Sequence, residues 1–276
     1  MIIEKAKSHG FCFGVKRAVE IAENSKNAVT LGPLIHNPLE INRLAENYNV
    51  KYVDSLEDID ENVKRVIVRT HGIPKDKLEE LKFKNIEIID ATCPFVKKPQ
   101  EIVEEMSSLG YDIVIFGDKN HPEIKGVMSY SVHNRVYVVL SEEELKNIKL
   151  KEKIATVAQT TRKINDYLKI TDYLIRNHKE VRVFNTICNA TFENQDAVRE
   201  LAKKADIMII IGGKNSSNTK QLYNIASEYS EAYLIESEEE LKKEWFEGKK
   251  HCGISAGAST PEWLVEKIIS KIKELA

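Results

Sequence analysis

Ile207-Met208-Ile209-Ile210-Ile211-Gly212-Gly213-Lys214-Asn215 is an unbroken apolar run that stops at glycine and turns polar. Such a run reads as a short strand entering a loop. Its text returns at Ile113-Val114-Ile115-Phe116-Gly117-Asp118-Lys119-Asn120, and a shorter copy lies at Val29-Thr30-Leu31-Gly32. Four residues beyond each closing glycine stands a polar group: His36, His121 and Ser216. Working back, a cysteine precedes each glycine by 20 to 24 residues: Cys12, Cys93 and Cys188. The first two open matching text, Cys-x-x-Val15-Lys16-Arg17 and Cys-x-x-Val96-Lys97-Lys98. The third runs into Ala197, Val198, Leu201 and Ala202 at helical spacing.

Forward of the glycine the copies stay in step. A tyrosine-bearing strand precedes an acidic helix start at Tyr52, Tyr137 and Tyr233. A further strand then ends in a small polar cluster: Arg69-Thr70-His71-Gly72, Gln159-Thr160-Thr161, and Gly257-Ala258-Ser259-Thr260-Pro261. Final strands at 86–90 and 181–184 lead into the next cysteine, and Met1-Ile2-Ile3-Glu4 supplies the same lead-in for Cys12. A threefold internal repeat of this kind sets the architecture before any motif is weighed.

Short apolar strands alternating with longer helical stretches read as βαβ units with parallel sheets. The expected fold is α/β, with repeats at 13–92, 93–187 and 188–276 and the strand in 1–12 packing with the third. In such sheets ligands bind beyond the carboxyl ends of the strands, where the repeat cysteine and both polar clusters of every copy fall. Arranged about a pseudo-threefold axis, the three sets face one centre; the alternative is a linear array whose faces never meet. Three single cysteines favour the ring.

The 276 residues are 42% apolar with a formal net charge of −2, enough for real cores and without the basic footprint of a nucleic-acid binder. The N-terminus lacks the apolar core of a signal peptide, and no stretch nears ~18 uninterrupted apolar residues. A cytoplasmic protein without membrane or nucleic-acid partners is expected, in which four cysteines are not two disulfides.

Cys12, Cys93 and Cys188 each precede a helix, whose N-terminal dipole favours a thiolate. Structural zinc sites announce themselves by close pairs such as Cys-x-x-Cys and fill four positions, and no such pair occurs. Three soft thiolates without a fourth favour an iron–sulfur cluster with one open iron over zinc, against the alternative of three unrelated buried cysteines. Cys252, at the start of a strand, reads as a buried structural thiol. His36, His71, His121, Ser216, Ser217, Asn218 and Ser259 are hydrogen-bond donors suited to an oxyanion. In His121-Pro122-Glu123 the carboxyl is expected in the same cavity, where burial raises its pKa and fits it to deliver a proton; a carboxylate stabilising a helix start is the other reading.

Taken together, these residues resemble the LytB/IspH family. The shared text runs through Gly10-Phe-Cys-Phe-Gly-Val-Lys-Arg-Ala18, Gly32-Pro-Leu-Ile-His-Asn37, Arg69-Thr-His-Gly72 and Asp90-Ala-Thr-Cys-Pro94. It continues through His121-Pro-Glu123, Gln159-Thr-Thr161, Thr186-Ile-Cys-Asn-Ala-Thr191, Gly212-Gly-Lys-Asn-Ser-Ser-Asn-Thr219 and Gly257-Ala-Ser-Thr-Pro261. The resemblance implies a trefoil of three pseudo-threefold-related α/β domains with small, mainly parallel sheets around one central [4Fe–4S] cluster. It implies Cys12, Cys93 and Cys188 as cluster ligands with one open iron. His36, His71, His121, Ser216, Ser217, Asn218 and Ser259 would hold a diphosphate, Glu123 would relay protons, and Thr160 would position the substrate hydroxyl. The implied activity is reductive dehydroxylation of 4-hydroxy-3-methylbut-2-enyl diphosphate, an allylic diphosphate, to isopentenyl and dimethylallyl diphosphate. Electrons would come from an external ferredoxin or flavodoxin, since no flavin or nicotinamide fingerprint is present. A quinolinate synthase-like enzyme shares the domain and cysteine count but uses its cluster as a Lewis acid; the His/Ser/Asn set argues against it. An iron–sulfur sensor needs an output surface, such as a basic DNA-reading helix, and the sequence offers none.

Overall fold

The computed structural model describes residues 1–84 and 86–275, apart from the side chain of Ser217. Strand β1 (Ile2–Lys5) precedes helix α1 (Phe13–Asn24), and the first glycine-ended run becomes β2 (Ala28–Leu31). There follow α2 (Pro38–Tyr48), β3 (Val50–Val53), β4 (Arg65–Val68), α3 (Lys75–Phe83) and β5 (Glu87–Asp90). The second copy comprises α4 (Pro94–Ser108), β6 (Asp112–Phe116), α5 (Pro122–Ser129), β7 (Val136–Val139), α6 (Glu142–Lys146), β8 (Lys153–Ala158), α7 (Ile164–Asn177) and β9 (Glu180–Val183). The third comprises α8 (Ala190–Ala202), β10 (Ile207–Ile211), α9 (Ser217–Ser227), β11 (Glu231–Ile235), β12 (His251–Ala256) and α10 (Glu262–Leu275).

Three four-stranded sheets result, in the orders β3-β2-β4-β5, β7-β6-β8-β9 and β11-β10-β12-β1. Every pairing is parallel. The order is the same three times over, with β1 in the fourth place of the last sheet, the place that β5 and β9 take in the others. The tyrosine-bearing strands β3, β7 and β11 are the edges beside each first strand. The closing glycine of that first strand donates its N–H to the last residue of the edge strand each time: Gly32 to Val53 O (2.7 Å), Gly117 to Val139 O (3.0 Å), Gly212 to Ile235 O (2.9 Å).

Parallel strands covered by helices on both faces bury all their side chains. In β10, Ile207, Ile209 and Ile211 pack on Leu264, Val265, Ile268 and Ile272 of α10. Met208 and Ile210 point the other way, into Val198 and Leu201 of α8 and Leu222 and Ile225 of α9. Each buried isoleucine contributes about 1.5–3 kcal/mol of transfer free energy. Because Ile209 is fully buried between neighbours held by two flanking strands, Ile209→Ala is expected to lower the unfolding free energy by about 2–5 kcal/mol. The measurement is the denaturant midpoint at unchanged slope; a loss below about 1 kcal/mol would mean that the site closes over the cavity.

By compactness the chain divides into two units that cut across the repeats. One comprises residues 1–19, 35–48 and 189–276; the other comprises 20–34 and 49–188. The first holds the sheet β11-β10-β12-β1, and the second holds the other two sheets. Helix α2 thus belongs with the third repeat's sheet, not with the strands that flank it in sequence. Its anchors are specific: Trp263 Nε1 of α10 donates to Glu40 Oε2 of α2 at 2.8 Å, and the Ser259 hydroxyl donates to His36 O at 3.1 Å.

Candidate active site

Each sheet ends in the same backbone bond. Two residues beyond the third strand of a repeat, a carbonyl accepts the cysteine N–H: Thr70 O from Cys93 (3.0 Å), Thr160 O from Cys188 (2.8 Å), and Ala258 O from Cys12 (3.1 Å). Each bond pins the thiol-bearing segment, where the chain leaves its fourth strand, to the small polar cluster of its own sheet. Cys93 is the N-cap residue of α4 with Pro94 at its first position, Cys12 immediately precedes α1, and Cys188 lies two residues before α8.

The cysteines fall into two chemical kinds. Cys12, Cys93 and Cys188 are partly exposed; Cys252 is fully buried in β12, and burial pushes its thiol up to about 12. A thiol held protonated in an apolar core is inert, which accords with a structural role. Among the described residues, no three His, Cys, Asp or Glu side chains gather where a single metal ion would sit. A cubane's own iron and sulfide hold its thiolates farther apart than one ion does. Three partly exposed soft donors at helix starts are, by their chemistry, of the kind that hold iron in a cluster.

In the larger unit, helix α5 begins with the His121-Pro122-Glu123 motif. His121 is its N-cap, and its Nδ1 accepts the Glu123 N–H at 3.2 Å. That acceptor role assigns the neutral ring's proton to Nε2. The rings of His121 and His71 meet edge to face, their centroids 5.5 Å apart. Glu123 is 1% exposed and forms no ion pair with any described residue. Thr160 clamps it from two sides, the peptide N–H donating to Oε1 and the hydroxyl to Oε2, both at 2.7 Å. Burial pushes the Glu123 carboxyl above the ordinary carboxylate range, while the two Thr160 bonds pull it back down. Thr161 takes no part; its hydroxyl accepts from Gln159 Nε2 at 3.3 Å. Glu40, the other carboxylate buried near a helix start, is by contrast bonded to Arg43 at 2.6 Å and to Trp263.

In the smaller unit, Ser216 caps α9, its Oγ accepting the Thr219 N–H at 3.3 Å and keeping its own proton to donate. Asn218 follows within the first turn. Both polar atoms of its side-chain amide are buried, and neither has a partner among the described residues. Leaving such an amide unbonded costs about 1–3 kcal/mol, a cost that a ligand presenting both donor and acceptor groups would remove. The expectation for Ser217 falls on a side chain outside the described residues; its backbone opens α9. Gly212, at φ +144°, has no room for a side chain, because a Cβ there would lie 2.8 Å from Thr260 Oγ1. In the first repeat the cap sits one residue later than the spacing of His36, His121 and Ser216 suggests. Asn37 Oδ1 accepts the Glu40 N–H at 3.1 Å, leaving His36 just outside α2 with Ser259 on its carbonyl.

Sequence reasoning passed over the carbonyls of Thr70, Thr160 and Ala258, which no side-chain pattern reports. Their constant offset of two residues past Val68, Ala158 and Ala256 was a usable signal. It also passed over Gln100, 3% exposed, whose Nε2 would lie 2.7 Å from a Cβ on Gly72 and 3.5 Å from one on Gly126. Through those two bare glycines, Gln100 fits the helix that starts at Cys93 against the His71 loop and the helix of Glu123.

Against known proteins, the family model described as LytB protein matches residues 3–273. A 4-hydroxy-3-methylbut-2-enyl diphosphate reductase of Nautilia profundicola is 89% identical to this chain, covering 100% of both. The protein of that name from Nitratiruptor sp. is 67% identical, covering 100% of this chain and 99% of its own. Among solved structures, an (E)-4-hydroxy-3-methyl-but-2-enyl diphosphate reductase, described as the terminal enzyme of the non-mevalonate pathway, superposes with a TM-score of 0.82 at 44% identity. The match covers 99% of this chain and 100% of that one. The E-1-hydroxy-2-methyl-but-2-enyl-4-diphosphate reductase of Plasmodium falciparum gives 0.83 at 27% identity, covering 98% and 87%.

Proposed function

Because the chain belongs to the LytB family, we propose that it reduces 4-hydroxy-3-methylbut-2-enyl diphosphate to isopentenyl and dimethylallyl diphosphate. The allylic hydroxyl leaves as water at the expense of two electrons and two protons. Cys12, Cys93 and Cys188 would hold a [4Fe–4S] cluster, and such a cluster with one open iron would supply electrons and a Lewis-acid position for the hydroxyl. His36, His71, His121, Ser216, Ser217, Asn218 and Ser259 take the diphosphate, and backbone N–H groups at the start of α9 add donors of the kind that favour phosphate. Glu123 holds the proton to be delivered, and Thr160 passes it toward the substrate hydroxyl. The reducing equivalents come from an external protein of ferredoxin or flavodoxin class. Among the described residues no helix is long and apolar enough to cross a membrane.

One observation carries the reading. Thr160 holds the buried Glu123 carboxyl with its N–H and hydroxyl and holds the Cys188 peptide with its carbonyl. The proton source and a thiol donor are thereby tied to a single residue, as a coupled electron and proton delivery requires. The test is Mössbauer spectroscopy on anaerobically purified protein, with and without the allylic diphosphate, alongside turnover with dithionite and a dye. A substrate-induced change confined to one iron of four, with reductive turnover, is the expected result. A spectrum unmoved by substrate, or a protein that turns over without a reductant, would refute the assignment.

A further inference from the structure

Arg69 is a cation without a counterion among the described residues. It opens the turn that presents His71, closed by the Gly72 N–H on the Arg69 carbonyl at 2.9 Å. Its side chain lies back over the end of β2, where a Cβ on Gly32 (φ +74°) would stand 2.5 Å from Nη1 and 3.2 Å from Cζ. Only glycine leaves the guanidinium that berth. Nε is buried and has no hydrogen-bond partner among the described residues, and no described carboxylate pairs with the group. Burial disfavours its charged form. Other arginines of the same unit behave otherwise, exposed or not: Arg65 pairs with Glu87 at 2.7 Å, and the half-buried Arg135 with Asp112 at 2.7 Å.

A half-buried guanidinium without an acceptor is costly unless an anion completes it. Its planar fork suits two oxygens of one phosphate group. It sits at the carboxyl end of the central strand β4, two residues before a histidine assigned to the diphosphate. The geometry points to Arg69 as a further anion-recognition residue, which binds phosphate oxygens of the substrate beside His71. This inference rests on the reductase reading above. Arg69 touches no reacting carbon; it fixes the charged end, and Gly32 is bare so that it can.

The probe is inorganic diphosphate, titrated as a competitive inhibitor of the cluster-loaded enzyme. Arg69→Gln is expected to weaken its binding about 10–100-fold, the value of a charge-assisted hydrogen bond. KM for the allylic diphosphate should rise by a similar factor, with kcat falling far less. Arg69→Lys, which keeps the charge on a smaller head group, should recover part of the loss and preserve the fold if the glutamine variant does not. The inference is overturned if Arg69→Gln binds inorganic diphosphate like the parent protein and loses only thermal stability. It is equally overturned if the variant shifts the cluster's midpoint potential with that affinity intact. A parent enzyme that binds neither inorganic diphosphate nor the substrate would instead bring down the reading on which the inference stands.

Discussion

Cys12→Ala, Cys93→Ala and Cys188→Ala are each expected to abolish reductive turnover, by at least about 10³-fold, as when one member is removed from a unit that works only whole. Iron and acid-labile sulfide content should fall with it. Cys252→Ala should retain both. The structural grounds are the contrast in setting: three partly exposed thiols anchored by the same backbone bond, and one thiol at 0% exposure in β12 that burial pushes up to about 12. Metal analysis, cluster absorbance and the dithionite-dye assay measure the outcome. Full iron content and activity in any one of the first three variants would remove that cysteine from the ligand set. Loss of the cluster in Cys252→Ala would show that the strand core, rather than a ligand, had been damaged.

Much of this was written in local sequence. The run Ile207–Ile211 declares a buried strand because each of its residues is apolar, and its text twins at Ile113–Phe116 located β6 and the shared sheet order with it. The lead-in strand of Cys12 was legible for the same reason, since β1 takes the fourth place that β5 and β9 take in their sheets. What could not be read was pairing over long separations. The Trp263–Glu40 bond spans 223 residues and holds α2 in a different compact unit from β2 and β3, which flank it. Hydrophobic periodicity fixes which face of α2 is buried but not which partner covers it. The histidine offset was misleading by one residue in the first repeat, because Asn37, with its short side-chain acceptor, outcompetes His36 for the cap. Glu123, by contrast, was readable from its neighbours: Pro122 sets the helix start, and a carboxyl at the second helical position turns back toward the loop. Its two bonds to Thr160 were not readable, since 37 residues separate them.

Those two bonds make the pH response of Glu123 the sharper test. Burial raises its carboxyl pKa and the Thr160 donors oppose the rise, with the net displacement upward. The folded state therefore holds this proton more tightly than the unfolded chain does. That contribution to stability is complete on the acid side of the ordinary carboxylate value and is lost as pH rises through the raised one. If the protonated form is the donor, kcat is highest on the same acid side and falls about tenfold per pH unit above the raised value. Glu123→Gln, isosteric with the neutral acid, is expected to lower kcat about 10²–10⁴-fold and to erase that limb of the profile, with KM little changed. It should also flatten the dependence of stability on pH, because its amide does not ionise. Thr160→Val removes the hydroxyl bond but keeps the peptide N–H on Oε1, so the charged form loses a donor and the limb moves to higher pH. A Glu123→Gln enzyme with the parent's kcat would end the role of Glu123 as proton source. A Thr160→Val profile displaced toward acid would mean that the hydroxyl had been accepting from the protonated carboxyl, the reverse of the hydrogen bond seen between these two side chains.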